Sequence, residues 1–280
     1  MDIDEPRTWI GRSETRTDTA TPAPLSGMAA TLDSETLAFE EGDAVPPLWH
    51  WTYFLPTPRQ SRLGADGHPL KGGFLPPIPL PRRMWAGSQI EFRQPLRVGD
   101  KLTRTSTIAD VSLKQGRTGP LVFVKVHHEV SNLQGIVVVE HQDIVYRNPP
   151  TPADRPKPMT APATSSWSRS IRPSTPLLFR YSALTFNSHR IHYDRPYAQS
   201  EEGYSGLVVH GPLIATLLLD LVRREMPESR VCEFSFRAVR PLIDSAEFSV
   251  CGDLRQDGSL RLWAQAAEGW LATTATARIA

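Results

Sequence analysis

Between Gly206 and Val222 the chain reads GLVVHGPLIATLLLDLV, with Asp220 its sole charged residue. A helix apolar on nearly every face has to be enclosed by other elements. Pro212 suits its first turn, where a missing N–H costs nothing, and Arg223-Arg224-Glu225 closes it. The run is interrupted by His210, Pro212 and Asp220 and is too short for a membrane span. This segment is therefore a core helix, and the rest of the chain has to wrap it.

Just before it lies a polar stretch, YSALTFNSHRIHYDRPYA, from Tyr181 to Ala198. His192 falls in this stretch and His210 at the start of the apolar run. A polar turn leading into a buried helix places a few reactive groups at the mouth of an apolar tunnel.

Composition narrows the classes of partner. With 280 residues, 40% hydrophobic and 22% charged, the chain has length for one large or two ordinary domains. A net charge of +1 provides no global field for nucleic acid or a membrane surface. The basic pairs Arg82-Arg83 and Arg223-Arg224 lack the interleaved aromatic residues of single-strand binders. Two cysteines, Cys232 and Cys251, make no disulfide framework and no CxxC metal pair. The start, MDIDEPRTWIGRSE, has no signal-peptide core, so a soluble cytoplasmic protein is expected.

In chain order, residues 1–24 read as a polar arm anchored at Trp9-Ile10, and a short helix is expected from Ser26 to Phe39, with Asp33 or Ser34 capping part of it. PPLWHWTYFLP (46–56) packs aromatic residues around His50, most simply a hydrogen-bonded core histidine. The glycine- and proline-rich region 57–81 reads as a functional or covering loop, and Arg82 and Arg83 follow it as candidates for binding phosphate or carboxylate, or as a solvated pair. From Gln89 alternating segments give strands with hairpins near Gly116–Gly119 and Asn132–Gly135. His127, His128 and His141 on these strands lack metal-ligand spacing and are expected on the sheet surface. Residues 151–176 form a proline- and serine-rich linker. After the core helix come four more strand-like segments between Val231 and Ala280.

The halves repeat weakly: each has irregular structure, an apolar or aromatic element, a strand ending in Pro-Leu (Gln94-Pro95-Leu96, Arg240-Pro241-Leu242) and three strands in meander. The expectation is an α+β protein of two units, 1–150 with its polar arm and 177–280, each an antiparallel sheet wrapped around a helix. The second alone carries the polar turn.

That turn resembles the motif of the MaoC-like double hot dog thioester hydratases, Tyr, small residues, Gly-Asp-x-Asn-Pro-Ile-His-x-Asp, three residues, Ala. Tyr181, Ile191, His192, Asp194 and Ala198 match, and His210-Gly211 matches the element at the mouth of the central helix. The family's catalytic Asp falls on Asn187, its Asn on His189 and its Pro on Arg190. TFN-x-HRIHYD followed by GLVVHGPL, with PPLWHWTYFLP, DGHP and GGFLPPIPLPRRMWAGSQIEF in the first half, is similar to the subgroup of mesaconyl-C4-CoA (itaconyl-CoA) hydratases and type 2 hydroxyacyl-thioester dehydratases.

The resemblance implies a hot dog unit in each half, the first degenerate, and reversible hydration of an enoyl-CoA, with mesaconyl-C4-CoA to citramalyl-CoA as the leading reaction. It implies no cofactor beyond the CoA of the substrate, no metal, and a homodimer. Hydration needs a base for water at Cβ, an acid for Cα and donors for the thioester oxygen. His192 is the expected base, Asn187 the expected holder of the water through its side-chain carbonyl, and the Gly211 N–H the expected oxyanion donor. His210 serves either chemistry or support of the turn. Asp194 is expected to orient a histidine or the turn. His189, or Asp66, His68 or His50 if the first half folds over the site, are candidates for a second proton carrier. Arg190 reads either as the ligand of a substrate carboxylate, as a salt bridge to Asp194, or as a contact to a CoA phosphate. The rival readings are a 3-hydroxyacyl-ACP or -CoA dehydratase on longer chains, a hot dog thioesterase, and an acyl-CoA binding module with a dead site.

Overall fold

The computed structural model describes residues 1–116, 119–149 and 157–280. Alternating valine, isoleucine and threonine build the strands of the first half: β2 (Arg82–Phe92), β3 (Lys101–Gly116), β4 (Gly119–Asn132) and β5 (Gly135–Arg147). The second half repeats them as β7 (Val231–Ala238), β8 (Phe248–Leu254), β9 (Ser259–Ala266) and β10 (Leu271–Ile279). Two further strands, β1 (Ser13–Thr19) and β6 (Trp167–Ile171), lie at the outer edges.

All ten pair antiparallel in one sheet, ordered β1-β3-β4-β5-β2-β7-β10-β9-β8-β6. Read inward from either end, the order is the same: an edge strand, three strands in meander, then an inner strand. The weak repeat in the sequence is thus a structural one. After β2, the amides of Arg93 and Gln94 both donate to the Val137 carbonyl; after β7, those of Val239 and Arg240 both donate to Ala272. The two expected sheets are joined edge to edge through β2 and β7, in register from Gly87↔Arg237 to Glu91↔Glu233.

The core helix is α5 (Gly211–Glu225), and every residue from Leu213 to Val222 is buried. It packs against β6, β8, β9 and β10. Each fully buried leucine contributes about 1.5–3 kcal/mol, so this face dominates the second half. Its one interior charge is held by three arginines. Asp220 accepts from Arg169 of β6 at 2.7 Å, from Arg223 at 2.6 Å and from Arg224 at 2.8 Å. Arg169 and Arg224 also donate to the Leu32 carbonyl, which ties the C-terminal end of α5 to the first half.

The first half's helix is α2 (Pro22–Thr31), packed on α3 (Thr175–Leu184) and on a 3-10 turn, Trp49–Thr52. It starts and stops earlier than the Ser26–Phe39 expectation. Pro22 takes the first turn, and Asp33, at φ 54°, enters the left-handed region that ends helices instead of capping one. The expected polar arm contains α1 (Asp4–Arg7) and β1, paired with β3 from Ser13↔Thr107 to Thr19↔Lys101. The expected linker 151–176 ends in β6 and the start of α3, and its residues 151–156 lie outside the described residues. No helix of the described residues is long and apolar enough to cross a membrane.

Gly87 sits where the half-sheets meet. A Cβ there would lie 2.2 Å from the Phe236 backbone oxygen, a contact only backbone movement can relieve. Gly87→Ala is expected to destabilise the protein by about 1–3 kcal/mol, measured as a lower midpoint in urea unfolding, whereas Gly73→Ala, where a Cβ would meet only the Leu70 carbonyl oxygen at 4.0 Å, should cost less.

Candidate active site

The polar turn is a compact knot between α3 and α5. Tyr181 and Ser182, near the end of α3, are buried. Phe186 takes a left-handed conformation, φ 48°, and the chain doubles back. The Asn187 amide donates to the Ser182 carbonyl at 2.8 Å, and its side-chain oxygen accepts from the His189 amide at 3.0 Å. A single 3-10 turn, Arg190–His192, follows, and Asp194 caps α4 (Arg195–Ser200) by accepting from the Tyr197 amide at 3.1 Å.

His192 is buried, and its Nδ1 lies 2.7 Å from the Val208 carbonyl. A carbonyl only accepts, so Nδ1 carries the proton and Nε2 keeps its lone pair. The ring stacks on His210, centroids 3.7 Å apart and 19° from parallel. His210 is fully buried, and its Nε2 lies 2.8 Å from the Ser182 hydroxyl. Tyr181 flanks the other side of His210 at 5.1 Å. His189 meets His192 edge to face at 5.4 Å. Burial holds all three imidazoles neutral: His192 falls to about 4, His189 to about 2, and His210 well below the ordinary value, with neighbouring histidines adding to the effect.

The first half does fold over this turn. The loop Ala65-Asp66-Gly67-His68 lies along Ser188 to Arg190. The Arg190 amide donates to the Asp66 carbonyl at 2.9 Å, the Ser188 hydroxyl to the Gly67 carbonyl at 2.6 Å, and the Arg190 guanidinium to the Ala65 carbonyl at 3.0 Å. Gly67, at φ 86°, is required twice: by its left-handed conformation, and because a Cβ would sit 1.9 Å from the Ser188 oxygen. The loop delivers His68 to His189, ring centroids 4.0 Å apart, and Asp66 to His68, whose Nδ1 it binds at 2.9 Å. Burial raises the Asp66 carboxyl, but the hydrogen bonds and charge of His68 outweigh it and hold the group well below the carboxylate range. Asp66, His68 and His189 bring their polar atoms within 4.8 Å of one another. Within this cluster the His68 ring is hydrogen-bonded to the Asp66 carboxylate and tilted 37° to the ring of His189.

Gly211 opens α5. A first-turn amide has no partner within its helix. Nothing in the fold demands glycine here: the backbone is not left-handed, and a Cβ would meet only the Trp85 carbonyl oxygen, at 4.0 Å. The missing side chain leaves the space over this N–H open.

The sequence left several readings open for Arg190, Asp194 and the Arg82-Arg83 pair. Arg190 is engaged with its surroundings: Nε and Nη2 both donate to Asp194 Oδ2, at 2.9 and 2.7 Å, and the guanidinium covers the Tyr197 ring at 4.0 Å. The salt-bridge reading is the one the geometry favours, over a substrate carboxylate or a CoA phosphate. Asp194 correspondingly fixes the turn and α4, and orients no histidine. Arg82 and Arg83 part company. Arg82 pairs with Glu202 at 2.8 Å and bonds its backbone, clasping the two halves together. Arg83 lies close enough to His68 and His189 to disfavour their protonated forms. His50 is remote from the turn, buried with Glu140 at 4.0 Å. On the sheet, His127 faces His141 at 4.7 Å, while His128 is half-buried and bonded to Ser106 at 2.8 Å. Sequence reasoning missed the role of Asp220, although Arg223 and Arg224 stand three and four residues on; only Arg169 is distant, and a lone acid inside an apolar helix was the available signal.

The fold and the histidine-lined helix mouth define a class, the double hot dog proteins. A MaoC-like dehydratase from Phytophthora capsici superposes with a TM-score of 0.72 over 100% of this chain and 98% of its own, at 14% identity. A Mycobacterium tuberculosis protein described as having a double hot dog fold superposes at 0.59 over 97% of this chain and 96% of its own, at 13% identity. Residues 48–244 match the model of hydroxyacyl-thioester dehydratase type 2, and the chain belongs to that family. It is also 47% identical over 273 residues to the mesaconyl-C(4)-CoA hydratase of Chloroflexus aurantiacus, covering 97% of this chain and 96% of that protein.

The buried histidines set the acid stability. His192, His189, His50 and His128 have pKa values pushed by burial to about 4, 2, 3 and 3. The unfolded chain binds protons at these sites below about pH 6.5 while the folded chain does not. Stability should therefore be level above about pH 6.5 and fall as the pH drops from there toward 4. Calorimetric melting temperatures across pH 8 to 4.5 check this, and a flat profile down to pH 4.5 would contradict it.

Proposed function

We propose that this enzyme adds water to the double bond of mesaconyl-C4-CoA to give citramalyl-CoA, and runs the reverse dehydration. The observation that carries the chemistry is the unprotonated Nε2 of His192, fixed by the Nδ1 bond to Val208. In this reading Nε2 removes a proton from water, the resulting hydroxide bonds to Cβ, and the π electrons move to the thioester oxygen. The Gly211 N–H, with the positive end of α5 behind it, stabilises that oxygen. The enolate then takes the proton from the His192 imidazolium at Cα, so one water is consumed and the base is regenerated. Asn187, whose carbonyl already accepts from the His189 amide, has its second lone pair to orient the water. His210 and Tyr181 hold the His192 ring in place. His189 lines the acyl site beside them.

The 47% identity to a mesaconyl-C(4)-CoA hydratase supports this substrate over a longer acyl chain, while family membership supports the hydratase and dehydratase chemistry common to both. The same reading makes CoA part of the substrate and requires no separate cofactor; a cytoplasmic homodimer is the expectation the sequence adds to it. The test is a panel of enoyl-CoAs followed by loss of the conjugated thioester absorbance. Turnover should be fastest on short dicarboxyl substrates, with slower turnover of crotonyl-CoA, and fall at least about 10²-fold in His192→Ala. Preference for long monocarboxyl chains would favour the dehydratase alternative, release of free CoA a thioesterase, and binding without turnover a non-catalytic module.

With Arg190 closed on Asp194, Arg83 is the arginine left beside the histidines, and it is our candidate for the substrate's free carboxylate. Arg83→Met should slow mesaconyl-C4-CoA at least about 10-fold more than crotonyl-CoA, which lacks the carboxylate, on the scale of a lost charged hydrogen bond. Arg190→Met should instead lower the melting temperature and affect both substrates alike. Equal kinetic damage from Arg83→Met on both substrates would remove it as the specificity residue.

A further inference from the structure

Asn187 stands where the related motif carries a carboxylate, so the turn itself brings no negative charge to its histidines. The chemistry makes this costly, because any proton taken by His192 turns a buried neutral ring positive. The titratable groups facing the His189–His192 pair come from several elements: His210 from the start of α5, Tyr181 from α3, Arg83 from β2, and Asp66 and His68 from the loop of the first half. Among the side chains acting on His189, Asp66 favours its protonated form, whereas His68, His192 and Arg83 oppose it. The Arg190–Asp194 pair is closed on itself.

We propose that Asp66 of the first half supplies the negative charge of this active site, held by His68 against His189, and stabilises the positive charge that His192 acquires when it takes a proton from water. The inference rests on the hydratase reading above. Asp66 does not touch the reacting atoms: it acts through His68 and His189, as a positioning residue. The geometry is built for this. Asp66 fixes the His68 ring through Nδ1 at 2.9 Å, and its other oxygen accepts from the His68 amide at 3.0 Å. His68 lies against His189, and His189 meets the His192 ring. Gly67, between the two delivered residues, is the point of closest approach to the turn. The anion thus arrives from a different half of the chain.

The test moves the charge back. Asp66→Asn keeps an oxygen for the His68 amide, removes the charge and puts an NH2 donor in place of the oxygen that faces His68 Nδ1. It should lower kcat about 10²-fold with KM within about 3-fold, on the scale of lost electrostatic stabilisation. The acid limb of its pH–rate profile should move to lower pH, because the histidines lose the anion that favours protonation. Adding Asn187→Asp in that background returns a carboxylate to the turn and should recover at least about 10-fold in kcat. A merely structural Asp66 would show neither the pH shift nor the recovery. If Asp66→Asn folds poorly, His68→Phe serves instead: it keeps a ring against His189 and removes only the Nδ1 bond through which Asp66 is proposed to act, and should also lower kcat. Wild-type kcat in Asp66→Asn, or a loss that Asn187→Asp leaves unchanged, would overturn the proposal. Absence of turnover in the native enzyme would instead sink the hydratase reading itself.

Discussion

The backbone ladder between β2 and β7 is the interaction on which the site depends. It welds two half-sheets into one and fixes where each half's loops fall on the other. Just before the ladder begins, β2 carries a register shift between Trp85 and Gly87. A bulge of this kind turns the strand and re-aims its residues. This brings the Trp85 carbonyl near Gly211, at the mouth of the helix, and Arg83 toward the histidines. Arg82, one residue further out, grips Glu202 in the loop that leads back to the helix. A glycine at position 87 is the condition for all of this, since the strands there approach too closely for a side chain.

Charge is distributed in two contrasting ways around α5. At its C-terminal end a buried carboxylate meets three guanidinium groups, all of them partly exposed, so the charges are compensated where water can still reach. At its N-terminal end the groups are neutral imidazoles stacked on one another, with the positive end of the helix close by. An accumulation of neutral rings beside a positive dipole end is a poor place to hold a proton at rest. It suits a proton that is taken and passed on within one turnover. The two ends of the same helix thus differ: one fastens the halves together, and the other keeps its imidazoles unprotonated.

Much of this was legible in the sequence because it rested on local pattern. The apolar run Leu213–Val222 announced a buried helix, the valine-rich alternation announced the meander strands, and the Pro-Leu pairs marked the repeat. The histidines of the helix mouth were visible as a motif. What could not be read depended on distant partners. β1 alternates threonine with charge on an edge exposed to solvent, so it looks like linker until β3 is beside it. Asp220 finds Arg169 far earlier in the chain. The loop 65–68 reaches the turn across more than a hundred residues of intervening sequence, and only a close steric contact at Gly67 reveals why that glycine is there. The pairing of Arg190 with Asp194 was one of three readings the sequence left open, since Asp194 stands four residues on.

The two outermost strands have a consequence for how this molecule behaves in company. β1 is made of serine, threonine and charged residues, and β6 is five residues long with an arginine at its centre. An unpaired strand edge is a template on which another chain can crystallise its own backbone. Here the ten-stranded sheet finishes at both ends in segments too polar or too short to make that attractive. The hydrophobic ladder is sealed inside, and a crowded solution of such molecules is protected from growing into fibres by the least conspicuous strands it has.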